Sequence, residues 1–139
     1  MASRLLKEKG VFEFAQAAKI LENKNLKVEF ELYGEIDEGN PNSLTKTDLE
    51  KISEITNFEI KGFSSDIKSV FQKSDIVVLA SYYGEGLPKV LIEAAACGRA
   101  IITTDMPGCR DTIIENQTGL FCKAKDAESL AFKIEKLIL

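Results

Sequence analysis

Two glutamates, Glu85 and Glu93, stand eight residues apart in the stretch SYYGEGLPKVLIEAAACG, residues 81–98. A carboxylate accepts two hydroxyl hydrogen bonds at once, and its charge makes them stronger than neutral ones. Glu93 sits among Ile92, Ala94 and Ala95, and an acid inside so apolar a segment usually has a partner. Gly84 and Gly86 let the backbone approach a ligand closely, and Pro88 suits the first turn of a helix. The amides around Leu87, Lys89 and Val90 would then stand unpaired at the positive end of a helix dipole, ready for a phosphate. By spacing alone the two glutamates would be solvated surface acids, and the apolar surroundings of Glu93 weigh against that. The chemistry on offer is recognition of a phosphorylated polyol. The amides would hold the phosphate, Glu93 neighbouring hydroxyls such as a ribose diol, and Glu85, on the loop, the reacting end.

The elements around this corner read as an alternation of strands and helices. DIVVLAS, ending at Ser81, is apolar on both faces, as a central parallel strand must be. It precedes the corner, and the helix PKVLIEAAAC follows, with Gly98 at its C-terminal cap. AIITT and GLFC read as further short strands, VEFELYG (28–34) and FEIKGF as two more. Helical spacing runs through Val11, Phe14, Ala15, Ala18 and Leu21. Further helices are DLEKISEI with Thr47 or Asp48 at its cap, IKSVFQKS starting at Ser65 or Asp66, a short one at GCRDTIIE, and one over residues 126–139. NQT at residues 116–118 is a turn. The pattern predicts a doubly wound α/β, Rossmann-like parallel sheet. In such sheets ligands sit at the carboxyl ends of the strands, where the Ser81–Leu87 loop lies. Only MASRL precedes the first helix, so the sheet reads as lacking its first strand. That segment is expected to be poorly ordered or displaced, and the chain to self-associate through the gap.

Composition bounds the rest. The 139 residues suit one domain, 45% of them hydrophobic and 29% charged. A net charge of −4 with interleaved signs argues against a nucleic-acid surface. No apolar run approaches the roughly 20 residues that span a bilayer, and no secretion signal is evident. The expected location is the cytoplasm, for a longer protein also the inner membrane face. Cys97, Cys109 and Cys122, with no histidine in the chain, match no common zinc pattern and read as reduced, mostly buried thiols. Any imidazole base must come from elsewhere.

The run EGLPKVLIEAAACGRAIITTDMPGCRDTI resembles the donor-binding signature of family 4 glycosyltransferases, retaining enzymes of the two-domain GT-B fold. Their Glu-x7-Glu motif matches Glu85 and Glu93. SRLLKEKG is similar to the family's Arg-x4-Lys-Gly element and supplies Arg4 and Lys9. DEGNPNSL resembles the subgroup that builds capsule, O-antigen and other surface glycans. The resemblance implies that Glu93 binds the ribose and Glu85 the sugar ring, and that Arg4 and Lys9 neutralise the diphosphate as it leaves. It implies a phosphate against the Gly86–Val90 backbone, held by the amides of Leu87, Lys89 and Val90 and shaped by Gly86 and Pro88, and a base against the backbone around Gly62. The expected ligand is a nucleotide sugar, UDP-linked, with no cofactor. No metal is expected, since Arg4 and Lys9 supply its charge and no Asp-x-Asp motif is present.

The family also uses an N-terminal, acceptor-binding domain with a glycine-rich loop and a histidine, which this chain does not contain. The chain is therefore expected to be the C-terminal-type donor domain of a two-domain protein, part of a surface-polysaccharide enzyme and inactive alone. Two alternatives stay open: a nucleotide-sugar-binding subunit working with a separate acceptor-binding chain, and part of a GT-B sugar-nucleotide epimerase. A generic dinucleotide-binding domain is disfavoured, because no Gly-x-Gly-x-x-Gly follows a strand.

Overall fold

The computed structural model describes residues 1–56 and 58–139. Strands and helices alternate as α1 (Val11–Asn23), β1 (Glu31–Tyr33), α2 (Lys46–Ile55), β2 (Glu59–Gly62), α3 (Ile67–Lys73), β3 (Ile76–Leu79), α4 (Lys89–Ala96), β4 (Ala100–Thr104), β5 (Gly119–Cys122) and α5 (Ala127–Ile138). The ladder pairings are parallel, β1 with β2 and β3 with β4 with β5, with Val77 opposite Ile101 and Ile102 opposite Leu120.

The apolar run of β3 is explained by what covers it. Val78 packs into a cluster with Phe14, Leu21, Leu130 and Ile134 from α1 and α5. Val77 and Leu79 point the other way, onto Phe71, Leu91 and Ala94 from α3 and α4. Helices on both faces make this a doubly wound sheet, and each large side chain so buried contributes roughly 1.5–3 kcal/mol. A third cluster, with Leu5, Val11, Leu32, Leu44 and Ile52, joins α1 and α2 to β1.

The structure refines the sequence expectations at four places. The α2 cap is Thr45, one turn before Asp48, whose side chain closes a capping box by reaching back to the Thr45 amide at 2.8 Å. That reciprocal bonding outcompetes a start at Thr47 or Asp48. Pro88 is the cap residue of α4 itself, not a residue of its first turn. Of the predicted strand 28–34, residues 31–33 form the ladder, in register with residues 59–62 of β2. Residues 1–3 are ordered. Ala2 bridges Tyr33 in parallel, Tyr33 donates its amide to the Met1 carbonyl at 2.9 Å, and Ala2 and Leu5 are buried. The strand missing from the sequence pattern is thus a three-residue stub along β1. Beyond it, the sheet is split between β1 and β3.

Candidate active site

The corner after β3 is held from two sides. From one side comes the turn Lys7–Gly10, whose Glu8 carbonyl accepts the Tyr82 amide at 3.0 Å and the Ser81 hydroxyl at 3.1 Å. Gly10, at φ 79°, lies so close to the end of β3 that a Cβ there would meet the Ala80 oxygen at 2.2 Å. Only glycine gives both the backbone conformation and the contact. From the other side comes the loop after β4. The Pro107 carbonyl accepts the Glu85 amide at 3.2 Å, and a Cβ on Gly108 would meet the Glu85 and Gly86 carbonyls at 2.3 Å. Below, Thr103 and Thr104 are buried and donate to the carbonyls of Leu79 and Ser81.

These clamps bring together residues 76 positions apart. Lys9 Nζ donates to Glu85 Oε1 at 2.6 Å, with the two side chains only 14% and 15% exposed. The pair lies just ahead of α4, whose start carries no side-chain cap. Among the described residues no acceptor meets the amides of Leu87, Lys89 or Val90. They are the orphan donors of a helix start, at the positive end of its dipole. Gly86 stands in open space, with nothing within 4 Å of where a Cβ would be. Burial pushes the Cys109 thiol up, with the Glu85 carboxylate adding to the shift, so it stays a neutral packing group. Cys122 is buried as well, and its thiol is pushed up to about 12. Cys97 is half-buried, and all three cysteines are free.

Glu93 sits half-buried on α4 with no side-chain hydrogen bond or ion pair among the described residues. The partner expected from its apolar surroundings is not supplied by the chain's own described side chains. Arg4 is 65% exposed and bonded to Asp37 at 3.1 Å, so it does not join Lys9. Gly62 ends β2 at φ 74°, where Tyr33 faces it across a register shift, and its carbonyl accepts the Gly34 amide at 2.9 Å. Phe63 beyond it is 70% exposed. The structure therefore gathers Lys9, Glu85 and the Gly86–Val90 backbone. Glu93 on α4, Gly62 at the end of β2 and Arg4 with Asp37 make no side-chain contact with that group among the described residues.

Sequence reasoning missed the residues that fix this geometry. Gly10 and Gly108 act through the absence of a Cβ, and Glu8 through its carbonyl. The Pro107-Gly108 pair in TTDMPGCRD was the one readable signal, since such pairs mark a forced turn. No helix of the described residues is long and apolar enough to cross a membrane.

Comparison with known proteins gives the family and the fold. The family profile described as "Glycosyl transferases group 1" matches residues 1–139. The chain is 38% identical over 138 residues to N,N'-diacetylbacillosaminyl-diphospho-undecaprenol alpha-1,3-N-acetylgalactosaminyltransferase of Campylobacter jejuni, covering 99% of this chain and 34% of that protein. It is 31% identical over 135 residues to the capsular polysaccharide biosynthesis glycosyltransferase CapM of Staphylococcus aureus, covering 97% of this chain and 35% of that protein. Among solved structures, a mutant of S. aureus TarM in complex with fondaparinux, alpha-GlcNAc-glycerol and UDP superposes with a TM-score of 0.83 at 25% identity. That match covers 99% of this chain and 27% of TarM. The fold is that of one Rossmann-like half of a GT-B protein, and the chain spans about a third of the length of the curated relatives it matches.

Proposed function

This chain belongs to the group 1 glycosyl transferases, and on that premise we propose that it is the donor-binding half of a retaining, metal-independent glycosyltransferase. Its ligand is a nucleotide sugar, UDP-linked, and the sugar goes to a glycan or lipid-linked acceptor in cell-surface polysaccharide synthesis. The names of the Campylobacter and Staphylococcus relatives support the acceptor class. The UDP bound to TarM supports the base. The observation that carries the reading is the meeting of Lys9 and Glu85 ahead of the uncapped start of α4.

Without ligand, Glu85 neutralises Lys9. An incoming diphosphate brings more negative charge than one carboxylate and also takes the free Leu87, Lys89 and Val90 amides, which Glu85 does not reach. It therefore displaces Glu85 from the ammonium. The released carboxylate then accepts from hydroxyls of the sugar ring. Glu93, with no partner of its own, accepts from the ribose diol, and the backbone at Gly62 meets the base. As the bond between the sugar's anomeric carbon and the diphosphate oxygen breaks, the electron pair stays on the diphosphate. Lys9 and the helix amides stabilise that charge in a site already shaped for it, joined by Arg4 once it leaves Asp37. The acceptor and any proton-transfer group belong to a second domain, so the chain alone binds donor without transferring it.

Titration calorimetry with UDP in the presence of EDTA tests the reading. Weak binding that needs no metal and is lost in Lys9→Met is expected. No heat with any nucleoside diphosphate at millimolar concentration, or binding that requires magnesium, would contradict it.

A further inference from the structure

The loop between β1 and α2 carries the stretch DEGNPNSL, none of whose residues enters the proposed donor site. It does not hang free. The Leu5 amide donates to the Glu35 carbonyl at 3.1 Å, the Leu44 amide to the Leu5 carbonyl at 2.7 Å, and the Lys7 amide to the Asn42 carbonyl at 2.9 Å. Leu6 and Ser43 form an antiparallel bridge, and Leu5 and Leu44 are both buried. The loop is zipped along the segment that runs from Arg4 to the Lys9 turn.

Asp37 is the hub of this loop. Its amide donates to the Ser43 hydroxyl at 2.9 Å, and its carbonyl accepts the Asn40 amide at 3.0 Å. Its Oδ2 accepts from the Asn40 side-chain amide at 3.0 Å and from Arg4 Nη1 at 3.1 Å. The carboxylate is therefore held by its own loop. The Arg4 guanidinium is 65% exposed and has no other side-chain partner among the described residues. In this pair Asp37 is the fixed member and Arg4 the one able to leave. Ala2 bridges Tyr33 in parallel, so Arg4 and Asp37 both follow the carboxyl ends of neighbouring extended segments. That is the end at which such sheets bind ligands.

We propose that Asp37 is a positioning residue, a latch that holds Arg4 while the site is empty, yields it to the diphosphate and takes it back when UDP leaves. The latch rests on the donor-site reading. Both cations of that reading are neutralised by a carboxylate in the ligand-free chain, Lys9 by Glu85 and Arg4 by Asp37. The two exchanges follow an order. Arg4 and Asp37 are 65% and 33% exposed, against 14% and 15% for Lys9 and Glu85. Solvent and salt screen the exposed pair more strongly, so Arg4 swings first and Lys9 second. Because Asn40 and Ser43 keep Asp37 in place, the acceptor is waiting when the diphosphate departs.

Calorimetry with UDP in EDTA tests it on five proteins: the 139-residue chain, Asp37→Asn, Asp37→Ser, Arg4→Met, and Arg4→Met combined with Asp37→Asn. Asp37→Asn drops the charge but keeps an acceptor for Asn40, so its melting temperature should match the parent's. Both Asp37 variants should bind UDP about threefold more tightly, the scale of an exposed ion pair. That gain should vanish in the Arg4→Met background. A damaged loop would weaken binding in both backgrounds, and a general loss of negative charge would strengthen it in both. Either result, or an unchanged affinity, would overturn the latch and leave the donor site standing. No binding of UDP by any of the five proteins would overturn the donor-site reading and the latch with it.

Discussion

The 139-residue chain should lose stability as pH falls from 8 to 5, and the α-amino group of Met1 should account for it. The amine is buried against Glu31, and burial lowers its pKa from 8.0 to about 5, with the Glu31 charge opposing the shift. In the unfolded chain it takes up a proton below 8, and in the folded chain only below about 5. Between those values unfolding binds a proton, so acid favours the unfolded state. The stability is fully present above pH 8, declines through the window, and is fully lost below about 5. Three units at about 1.4 kcal/mol each give a loss of about 4 kcal/mol, a large part of the roughly 5–15 kcal/mol a domain has. The window is clean, because the chain has no histidine. Asp48 and Asp66 are held below the usual carboxylate range by hydrogen bonds from Thr45 and Ser69. Burial pushes Cys109 and Cys122 above it. Urea denaturation at pH 5.5, 6.5, 7.5 and 8.5, on protein whose Met1 is confirmed by intact mass, reads the effect. Nα-acetylation should flatten the profile. A flat profile in the unmodified chain, or the same slope after acetylation, would refute the reasoning.

Three substitutions bear on the site. Glu85→Gln removes the carboxylate that competes for Lys9. UDP should bind about fivefold more tightly, for a pair worth ~1 kcal/mol, and weaker binding by calorimetry would mean that Glu85 does not occupy the diphosphate's place. Glu93→Ala should weaken UDP by roughly 1–3 kcal/mol and leave the melting temperature unchanged, since the side chain has no internal partner among the described residues. A lowered melting temperature would make Glu93 structural instead. Gly108→Ala places a Cβ 2.3 Å from two carbonyls at φ 86°, so it should cost about 2 kcal/mol or more in urea stability and UDP affinity with it. Parent-like behaviour in both assays would show that the corner does not depend on this contact.

Much of this was legible in the sequence, for local reasons. The runs at β3 and β4 are apolar throughout because both faces are covered, and such runs announce themselves without knowledge of the partners. Asp66 and Asp126 mark helix starts by the side-chain bond each accepts from the amide three residues on. The Thr45 cap was missed because Thr45, Thr47 and Asp48 are all good cap residues, and the choice rests on which side chain reaches back. The ion pair of Lys9 with Glu85 was illegible even with both residues named. It depends on a carbonyl at Glu8 and on two glycines whose role is to let chains approach. The shortening of the strand at residues 28–30 was illegible for a related reason. Those residues have the composition of a strand, but where the ladder starts is set by its register with β2.

The central claim, a nucleotide-sugar site built on the start of α4, is tested most directly by mapping backbone amide shifts while UDP is added. In ¹H–¹⁵N spectra of the chain in EDTA, saturable shifts are expected at Leu87, Lys89 and Val90, at Lys9 and Gly10, and at Gly62. Residues 27–31 leading into β1 should stay unmoved. Saturable shifts confined to other parts of the surface, or none at millimolar UDP in a chain that remains folded, would contradict it.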